Sequence, residues 1–391
     1  MTAPDAHGRP VRIALVIHSM TRGGAERATA NMANWWVRRG HPVALISLDS
    51  GAGEFYELDA SVERIALDVA GDSPSRPAAM VSNARRIRAL RRCLRRFAPD
   101  VAIGMMNTSA LLVLAASLGM RCTTIGAERT WPARGEEDRF WATARRHGYA
   151  WLDAVVTQTE AASQWLREHT GAKCPVTIPN ALRWPIPAPS PTLDPAGVVD
   201  SRRNLLLAVG RPEHVKGFDL LLAAFAIIAP GQQSWDLAIL GEGSQRKALI
   251  DQAARLGLSD RVHLPGECGN VGDWYTRADL FVLSSRAEGF PNVLVEAMAS
   301  GCAVVATRCN AGPADIIRDG VDGRLVPPDD IDALAAALDD LMGDAQARAR
   351  LARFSLEVRE RFSEATIMAR WEALFPRRRI EERRTVGAPG C

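Results

Sequence analysis

Two runs of alternating strand and helix patterns, separated by a proline-rich segment, constrain the fold of this chain most. Residues 11–18 (VRIALVIH) form an uninterrupted apolar run, and a glycine-bearing loop and a helical pattern follow it. The same succession starts again at residues 204–209, after the segment 184–200 (WPIPAPSPTLDPAGVVD). Continuous apolar strands that alternate with helices are typical of parallel sheets covered on both faces. The sequence therefore predicts an α/β fold of two doubly wound, Rossmann-like domains.

The 391 residues exceed the length of one typical domain, which agrees with this repetition. We predict an N-terminal domain at 1–183, a linker at 184–200 and a C-terminal domain at 201–361. A terminal helix is expected at 362–376, and a flexible tail at 377–391.

Composition excludes several other classes of protein. The chain is 47% hydrophobic and its net charge is only +3, so neither disorder nor nucleic-acid binding is favoured. Its seven cysteines are odd in number and form no CxxC pair, which argues for a reducing compartment and against a zinc site. The first ten residues lack the basic and apolar regions of a signal peptide. We therefore expect a cytoplasmic protein.

Residues 101–120 carry no charge and are long enough to span a bilayer. The polar triplet Asn107-Thr108-Ser109 interrupts this stretch, and such residues are common at the start of helices. The sequence therefore favours a strand at 101–106 followed by a buried helix from about Ser109 over a membrane span.

The segment 278–301 (ADLFVLSSRAEGFPNVLVEAMASG) predicts a strand, a tight turn and a helix. Pro291 suits the first position of a helix predicted at 292–300. Glu288 then lies on the turn and Glu296 on the second helical turn. In an open parallel sheet, ligands bind beyond the carboxyl ends of the strands. Free backbone N–H groups there can bind a phosphate and the carboxylates can bind hydroxyls, a combination that suits a sugar nucleotide.

Two cations, Arg211 and Lys216, lie on the loop after the first strand of the second half. Next to free N–H groups, such cations can hold a diphosphate and stabilise the charge that grows as it leaves. A solvated basic loop is the alternative interpretation.

Two further motifs are weaker. The segment Gly241-Glu242-Gly243 is similar to a dinucleotide-binding fingerprint, but Arg246 replaces the third glycine, which disfavours a nicotinamide cofactor. The pair Asp330 and Asp332 opens a predicted helix, where acids serve as caps, so no metal is expected there.

The two glutamates also resemble a glycosidase pair, but the cations have no place in that mechanism.

Taken together, these segments resemble the family-4 glycosyltransferases, which are retaining, use nucleotide sugars and have the GT-B fold of two domains facing across a cleft. The similar segments, in the order of the family, are GGAER at 23–27, GRPEHVKGFDLLLAAF at 210–225, ILGEGSQRKAL at 239–249, RVHLPG at 261–266, the two glutamates at 288 and 296, and NAGPADIIRDGVDGRLVP at 310–327. The amino-acid sequence of residues 292–307 is most similar to that of bacterial surface-polysaccharide enzymes, including N-acetylgalactosamine transferases. In that fold the helix 362–376 returns to the first domain.

The resemblance implies a role for each candidate residue. Arg211 and Lys216 would contact the donor diphosphate, Glu288 the donor sugar and Glu296 the ribose hydroxyls. The remaining binding residues would act mainly through their backbone: Gly23, Gly24, Gly241, Phe290, Asn292 and Val293. Glu26 is either structural or functional, and the roles of Glu128 and Arg129 stay open because relatives often have a histidine there.

The implied reaction moves a hexose or N-acetylhexosamine from a UDP-sugar to a glycan or polyprenyl-linked acceptor, without a metal cofactor and without nucleic acid. Two alternatives remain. A nucleotide-sugar epimerase shares the two-domain arrangement, and a non-catalytic relative could act as a scaffold at a membrane.

The arginine-rich helix predicted at 83–97 (NARRIRALRRCLRRF) also has two interpretations. Its apolar residues, which include Ile87, Leu90 and Leu94, recur at helical spacing. This side can pack against the sheet, as in an ordinary amphipathic helix, or lie on the inner face of an anionic membrane.

Overall fold

A computed structural model of the protein describes residues 10–53, 55–71, 76–133 and 139–376. The first nine residues and the tail predicted at 377–391 lie outside this part. The described residues group into two compact units. The first contains the chain up to Ala127, Trp151–Ala154 and the described residues from Glu372 onward. The second contains Glu128–Ala150 and Val155–Trp371.

Among the residues that the structure describes, the first sheet has seven strands, which follow one another in the order β3-β2-β1-β4-β5-β6-β7. Strand β1 pairs in parallel with both β2 and β4, with Ile13 opposite Val43 and Val101. The strands are β1 Ile13–Ile17, β2 Val43–Ser47, β3 Glu63–Ala66, β4 Val101–Met105, β5 Thr123–Ala127, β6 Ala154–Thr157 and β7 Pro175–Thr177. All residues of β1, β2 and β4 are buried, because helices cover both faces of such a sheet.

Five helices within the described ranges connect these strands. They are α1 Gly24–Arg38, α2 Arg76–Phe97, α3 Asn107–Ser117, α4 Arg139–Gly148 and α5 Glu160–His169. The uncharged stretch 101–120 forms β4 and the short helix α3, as predicted. None of the described helices has the length and apolar character needed to cross a membrane.

The second sheet has six strands in the order β10-β9-β8-β11-β12-β13. They are β8 Asn204–Val209, β9 Trp235–Leu240, β10 Val262–Gly266, β11 Leu280–Leu283, β12 Val304–Thr307 and β13 Arg324–Val326. Strand β8 pairs in parallel with β9 on one side and with β11 on the other, so the chain changes direction across the sheet at β8. The loops that follow β8 and β11 therefore leave neighbouring strands at the same edge, the usual ligand-binding position in such sheets.

Nine described helices complete the second half of the chain. They are α6 Phe218–Ile228, α7 Arg246–Arg255, α8 Val271–Arg277, α9 Asn292–Ala299, α10 Pro313–Ile316, α11 Ile331–Gly343, α12 Ala345–Ser355, α13 Val358–Arg361 and α14 Glu364–Glu372. The buried side chains Phe225, Trp235 and Leu338 belong to one core on this sheet.

Three predicted elements differ from the structure. The arginine-rich helix begins at Arg76 rather than at residue 83, and the terminal helix α14 ends at Glu372 rather than at residue 376. Pro291 is the N-cap of α9 and precedes its first helical residue, because its φ is −76° but its ψ of 91° is extended.

The predicted linker 184–200 has one short 3-10 turn, Pro195–Gly197. Leu193 exchanges hydrogen bonds with the side chain of Asn270, and its carbonyl also accepts one from the indole of Trp274. This end of the segment is thus attached to helix α8. The domain boundaries predicted above stay predictions.

Candidate active site

The candidate site is built on the two loops that follow β8 and β11, residues 210–217 and 284–291. Gly217 lies between the 3-10 turn His214–Lys216 and helix α6, with a φ of +63°. A Cβ atom on Gly217 would lie 2.1 Å from the carbonyl oxygen of Ser284, and the Ser284 hydroxyl donates to the Lys216 carbonyl at 3.0 Å. Glycine is required at 217 because the two loops touch there through their backbones.

This contact brings two of the predicted site residues together. The Lys216 ammonium lies 2.7 Å from Oε1 of Glu288, and the Ser285 hydroxyl donates to the same oxygen at 2.6 Å. The two charged side chains are 21% and 9% exposed, so water screens this ion pair less than a surface pair. Burial and the neighbouring Glu288 charge raise the pKa of the Cys309 thiol to about 11.

Arg211, the second predicted cation, is in a different environment. Its side chain is 77% exposed, and its closest carboxylate contact is 3.6 Å from Nη1 to Glu213. The aliphatic part of Lys216 packs over Gly210, where an added Cβ would lie 3.6 Å from it. Glu288 thus holds Lys216 in position, whereas the Arg211 side chain extends into solvent from the same loop.

Gly241 shapes this loop. Its φ is +133°, and an added Cβ would lie 2.1 Å from the carbonyl oxygen of Gly210. The loop after β9 therefore supports the backbone next to Arg211. Direct contact between Gly241 and a ligand stays a prediction.

Arg286 holds the two loops in place, a role that sequence reasoning missed. Its guanidinium donates to the His214 carbonyl at 2.7 Å and to both carboxylate oxygens of Asp219 at 2.7 Å. Its backbone N–H donates to the Val215 carbonyl at 2.8 Å. The hydrogen bonds from Arg286 lower the pKa of the Asp219 carboxyl. Arg286 therefore ties the turn that carries Lys216 to the loop after β11.

The other residues predicted to bind the donor sugar nucleotide lie on α9 or just before it. Asn292 is the first helical residue, and its Oδ1 accepts a hydrogen bond from Asn180 at 2.9 Å. Glu296 lies one turn later, and the Tyr275 hydroxyl approaches its Oε2 at 3.4 Å. Phe290 is buried against Phe362. Val293 follows Asn292 on the first turn, so its backbone N–H is among those without a partner inside the helix.

Gly23 and Gly24 belong to the first unit, at the start of α1. Gly23 is the N-cap residue, and the Tyr56 hydroxyl donates to its carbonyl at 2.8 Å. A Cβ on Gly23 would lie 2.1 Å from the Glu26 carboxylate, which folds back over the cap. This position favours the structural interpretation of Glu26. Ligand contact by the two glycines stays a prediction.

The structure separates the two residues whose roles the sequence left open. Glu128 is buried, accepts a hydrogen bond from Tyr149 at 2.6 Å and lies 3.6 Å from Arg145, so it joins the loop after β5 to the end of α4. Arg129 is also buried, and its Nη2 donates to Oδ1 of Asn180. Glu128 is therefore part of the interior, whereas Arg129 lies beside the residues around α9.

Of the acids at 330 and 332, Asp330 acts as the predicted cap, and Asp332 lies in the first turn of α11. The Asp330 carboxylate accepts the Ala333 N–H at 2.9 Å at the start of α11. Across the described ranges, the structure has no cluster of three or more His, Cys, Asp or Glu side chains that could hold a metal ion.

Comparison with known proteins identifies two domains in the chain. Residues 23–181 match the family described as Glycosyl transferase 4-like domain, and residues 190–358 match Glycosyl transferases group 1. An exopolysaccharide phosphotransferase of Streptomyces coelicolor is 38% identical over 57% of this chain, which is 23% of that protein. An α-1,4-N-acetyl-D-galactosaminyltransferase of Campylobacter jejuni is 27% identical over 93% of this chain and 98% of its own length. The chain thus spans about a quarter of the first relative and nearly all of the second.

Solved structures show the same fold. A sucrose-phosphate synthase from Thermosynechococcus elongatus superposes with a TM-score of 0.78 at 19% identity, over 93% of this chain and 98% of that one. Anabaena Alr3699/HepE, solved with UDP, gives a TM-score of 0.74 at 19% identity, again over 93% and 98%. The predicted pair of parallel-sheet, Rossmann-like domains of GT-B type is confirmed. The chain therefore belongs to the glycosyltransferases, with a glycosyl transferase 4-like domain followed by a glycosyl transferases group 1 domain.

Proposed function

We propose that the protein transfers a hexose or N-acetylhexosamine from a UDP-sugar to a glycan or polyprenyl-linked acceptor of a cell-surface polysaccharide, with retention of anomeric configuration. The observation that carries this proposal is the Lys216–Glu288 pair, which lies at the carboxyl edge of the second sheet with Arg211 on the same loop. A cation suited to a diphosphate and an acid suited to sugar hydroxyls are thus in contact, as a sugar nucleotide requires.

In the proposed reaction, the bond between the sugar and the diphosphate breaks while the acceptor oxygen approaches from the same face. Arg211 and Lys216 stabilise the negative charge that develops on the departing diphosphate. An oxygen of that diphosphate takes the proton of the acceptor hydroxyl, so no protein nucleophile and no metal is needed.

The names of the similar proteins support this choice of substrates. The Campylobacter relative is named for an acceptor glycan on PP-undecaprenol, and Anabaena Alr3699/HepE was solved with UDP and with UDP-glucose. The Streptomyces relative is named a phosphotransferase, but it shares only 23% of its length with this chain.

A thermal-shift screen of UDP-, GDP- and ADP-sugars tests the donor. A ligand that binds the folded state raises the melting temperature by mass action, so we expect stabilisation by a UDP-sugar and little by the others. The stabilising donor is then incubated with lipid-linked and free glycan acceptors, and NMR coupling constants give the configuration of the product. Selective stabilisation by GDP- or ADP-sugars, or an inverted product, would contradict the proposal.

The same incubation separates the alternatives. Conversion of the donor without an acceptor indicates an epimerase. Donor binding without turnover on any acceptor indicates a non-catalytic scaffold.

The structure resolves how the arginine-rich helix α2 packs. Leu90, Leu94 and Phe97 are buried, so the apolar stripe packs within the protein as an ordinary amphipathic helix does. The opposite side exposes an arginine face, and the N-terminal part of the helix exposes Met80 at 73% and Val81 at 70%. The exposed arginines of this face are Arg85, Arg88, Arg92, Arg95 and Arg96.

We propose that this arginine face rests on the anionic inner face of the cell membrane, where a polyprenyl-linked acceptor would be presented. Each cation near such a surface adds about 1 kcal/mol of attraction, which salt screens. Exposed apolar residues at one end of the helix can enter the headgroup region.

Replacing Arg85, Arg88, Arg92 and Arg95 by Gln should weaken cosedimentation with phosphatidylglycerol-containing vesicles by at least about tenfold at low salt. Vesicles of phosphatidylcholine alone should bind neither protein. Arg255, Arg324, Arg350 and Arg353 are exposed elsewhere on the surface, and their replacement by Gln is the charge-matched control. Equal vesicle binding by the fourfold variant and the control would refute the membrane contact.

A further inference from the structure

Arg129 is a buried cation whose hydrogen bonds are incomplete. The residue is 7% exposed, and Nη2 donates to Oδ1 of Asn180. Its Nε and Nη1 have no hydrogen-bond partner among the residues that the structure describes, and no carboxylate of that part pairs with it. Buried guanidinium groups normally have such partners, because removing a charge from water without compensation costs several kcal/mol.

The missing partner is not supplied by the neighbouring acid. Glu128 is engaged by Tyr149 and Arg145. Burial lowers the pKa of Arg129 to about 10, so the guanidinium still carries its charge at neutral pH. Within the part of the chain that the structure describes, this positive charge is therefore uncompensated.

The surroundings of Arg129 connect it to the loop predicted to hold the donor. Oδ1 of Asn180, which accepts from Arg129, also accepts from Gln158 at 2.8 Å, and Nδ2 of Asn180 donates to Asn292 at 2.9 Å. The carbonyl oxygen of Arg129 would lie 3.6 Å from a Cβ placed on Gly289. The side chain of Asn180 alone thus separates the Arg129 guanidinium from Asn292, the first residue of α9. All three residues belong to the second compact unit.

We propose that Arg129 is a third substrate-binding cation, which receives a phosphate oxygen of a bound substrate. The inference rests on the proposed function and extends it, because the sequence assigns the diphosphate only to Arg211 and Lys216. Nε and Nη1 are covered by protein atoms. The phosphate therefore reaches them when the segment 128–133 or the loop 284–291 shifts, and the uncompensated charge favours that shift.

Two sources can supply the phosphate, the diphosphate of the donor and that of a polyprenyl-linked acceptor. Three probes separate them in calorimetric titrations. Inorganic pyrophosphate tests the shared chemistry, UDP tests the donor, and farnesyl diphosphate added at saturating UDP tests the acceptor.

The decisive variant is Arg129→Met, which keeps the length of the side chain and removes the charge. We expect its melting temperature to equal or exceed that of the wild type, because replacing an unpaired buried charge by an apolar group is neutral or stabilising. At the same time, the affinity for pyrophosphate and for at least one of the other two probes should fall by at least about tenfold, since charge-assisted hydrogen bonds are lost. Arg129→Lys should recover part of that affinity.

Arg145→Met is the matched control, because it removes the cation that pairs with Glu128. This variant should melt at a lower temperature while its affinities for the probes stay within about twofold of the wild type. If Arg129 is purely structural, Arg129→Met will likewise melt at a lower temperature and keep its affinities for the probes. That result would overturn the proposal.

Failure of the proposed function gives a different result. A wild-type protein that binds pyrophosphate but not UDP would exclude the uridine donor while the pyrophosphate titration still tests Arg129. A wild-type protein that binds none of the three probes would overturn both.

Discussion

Replacing Lys216 by Ala should lower turnover by roughly two orders of magnitude or more, as expected when one charge-stabilising donor is lost from a transition state. The ammonium lies 2.7 Å from Oε1 of Glu288, so the substitution also leaves a carboxylate that is 9% exposed without its cation. The turnover number is measured at saturating donor and acceptor, and UDP affinity is measured separately. The loss should be larger in turnover than in affinity, because the charge on the diphosphate grows only as the bond breaks.

The chain offers two matched controls for this substitution. Lys173 and Lys247 are its only other lysines, and both are exposed. Lys173→Ala and Lys247→Ala should retain normal turnover. A Lys216→Ala variant as active as these controls would rule out the proposed role of the cation.

Gly217→Ala should abolish most of the activity and lower the free energy of unfolding by at least about 2 kcal/mol. The residue has a φ of +63°, which costs an alanine energy in any surroundings. Its added Cβ would also lie 2.1 Å from the Ser284 carbonyl oxygen, a backbone atom that can move only if the loop after β11 moves. Lys216 would then be displaced from Glu288. Denaturant unfolding and the transfer assay measure the two effects.

Gly257 separates the clash from the backbone strain. Its φ is +69°, and an added Cβ would have no atom within 4 Å. Gly257→Ala should therefore lose about 1 kcal/mol of stability and keep its activity. Equal losses of stability and of activity in Gly217→Ala and Gly257→Ala would mean that the contact between the two loops contributes to neither.

Much of the fold could be predicted because parallel strands buried on both faces are continuous apolar runs. Residues 11–18, 101–106 and 204–209 were recognised for this reason, and the structure has a strand in each. The strand–turn–helix at 278–301 was predicted within one or two residues, since turn residues mark both ends of its helix.

Elements without such a pattern were missed. Strand β3 reads Glu63-Arg64-Ile65-Ala66 and lies at the edge of its sheet, where exposed charged residues replace the apolar run. The start of α2 was placed too late because the prediction relied on the arginine-rich periodicity, which begins only at residue 83. The ring of Pro291 fixes its φ, but its surroundings set its ψ, which is extended rather than helical.

The candidate site was predicted as a set of residues but not as a geometry. The sequence identified Lys216 and Glu288 separately, and only the pairing of β8 with β11 brings them within 2.7 Å. Arg286 carried no recognisable signal, because one arginine in a loop resembles any other until its partners are known. Arg129 was noted in the sequence, but its role was left open there. The hydrogen bonds of Arg286 and the incomplete ones of Arg129 distinguish them only in three dimensions.

The Lys216 ammonium already pairs with the Glu288 carboxylate. An incoming anion must therefore displace that carboxylate in order to bind the ammonium. A singly charged oxyanion offers the lysine little more than the carboxylate does, whereas a pyrophosphoryl group can engage Arg211 as well. Under the proposed function, we therefore expect small monovalent oxyanions to compete poorly for this site without any dedicated excluding residue. Under the proposed function, a diphosphate that captures the ammonium releases the carboxylate to accept sugar hydroxyls, so we expect hexose recognition to depend on the nucleotide to which the hexose is attached.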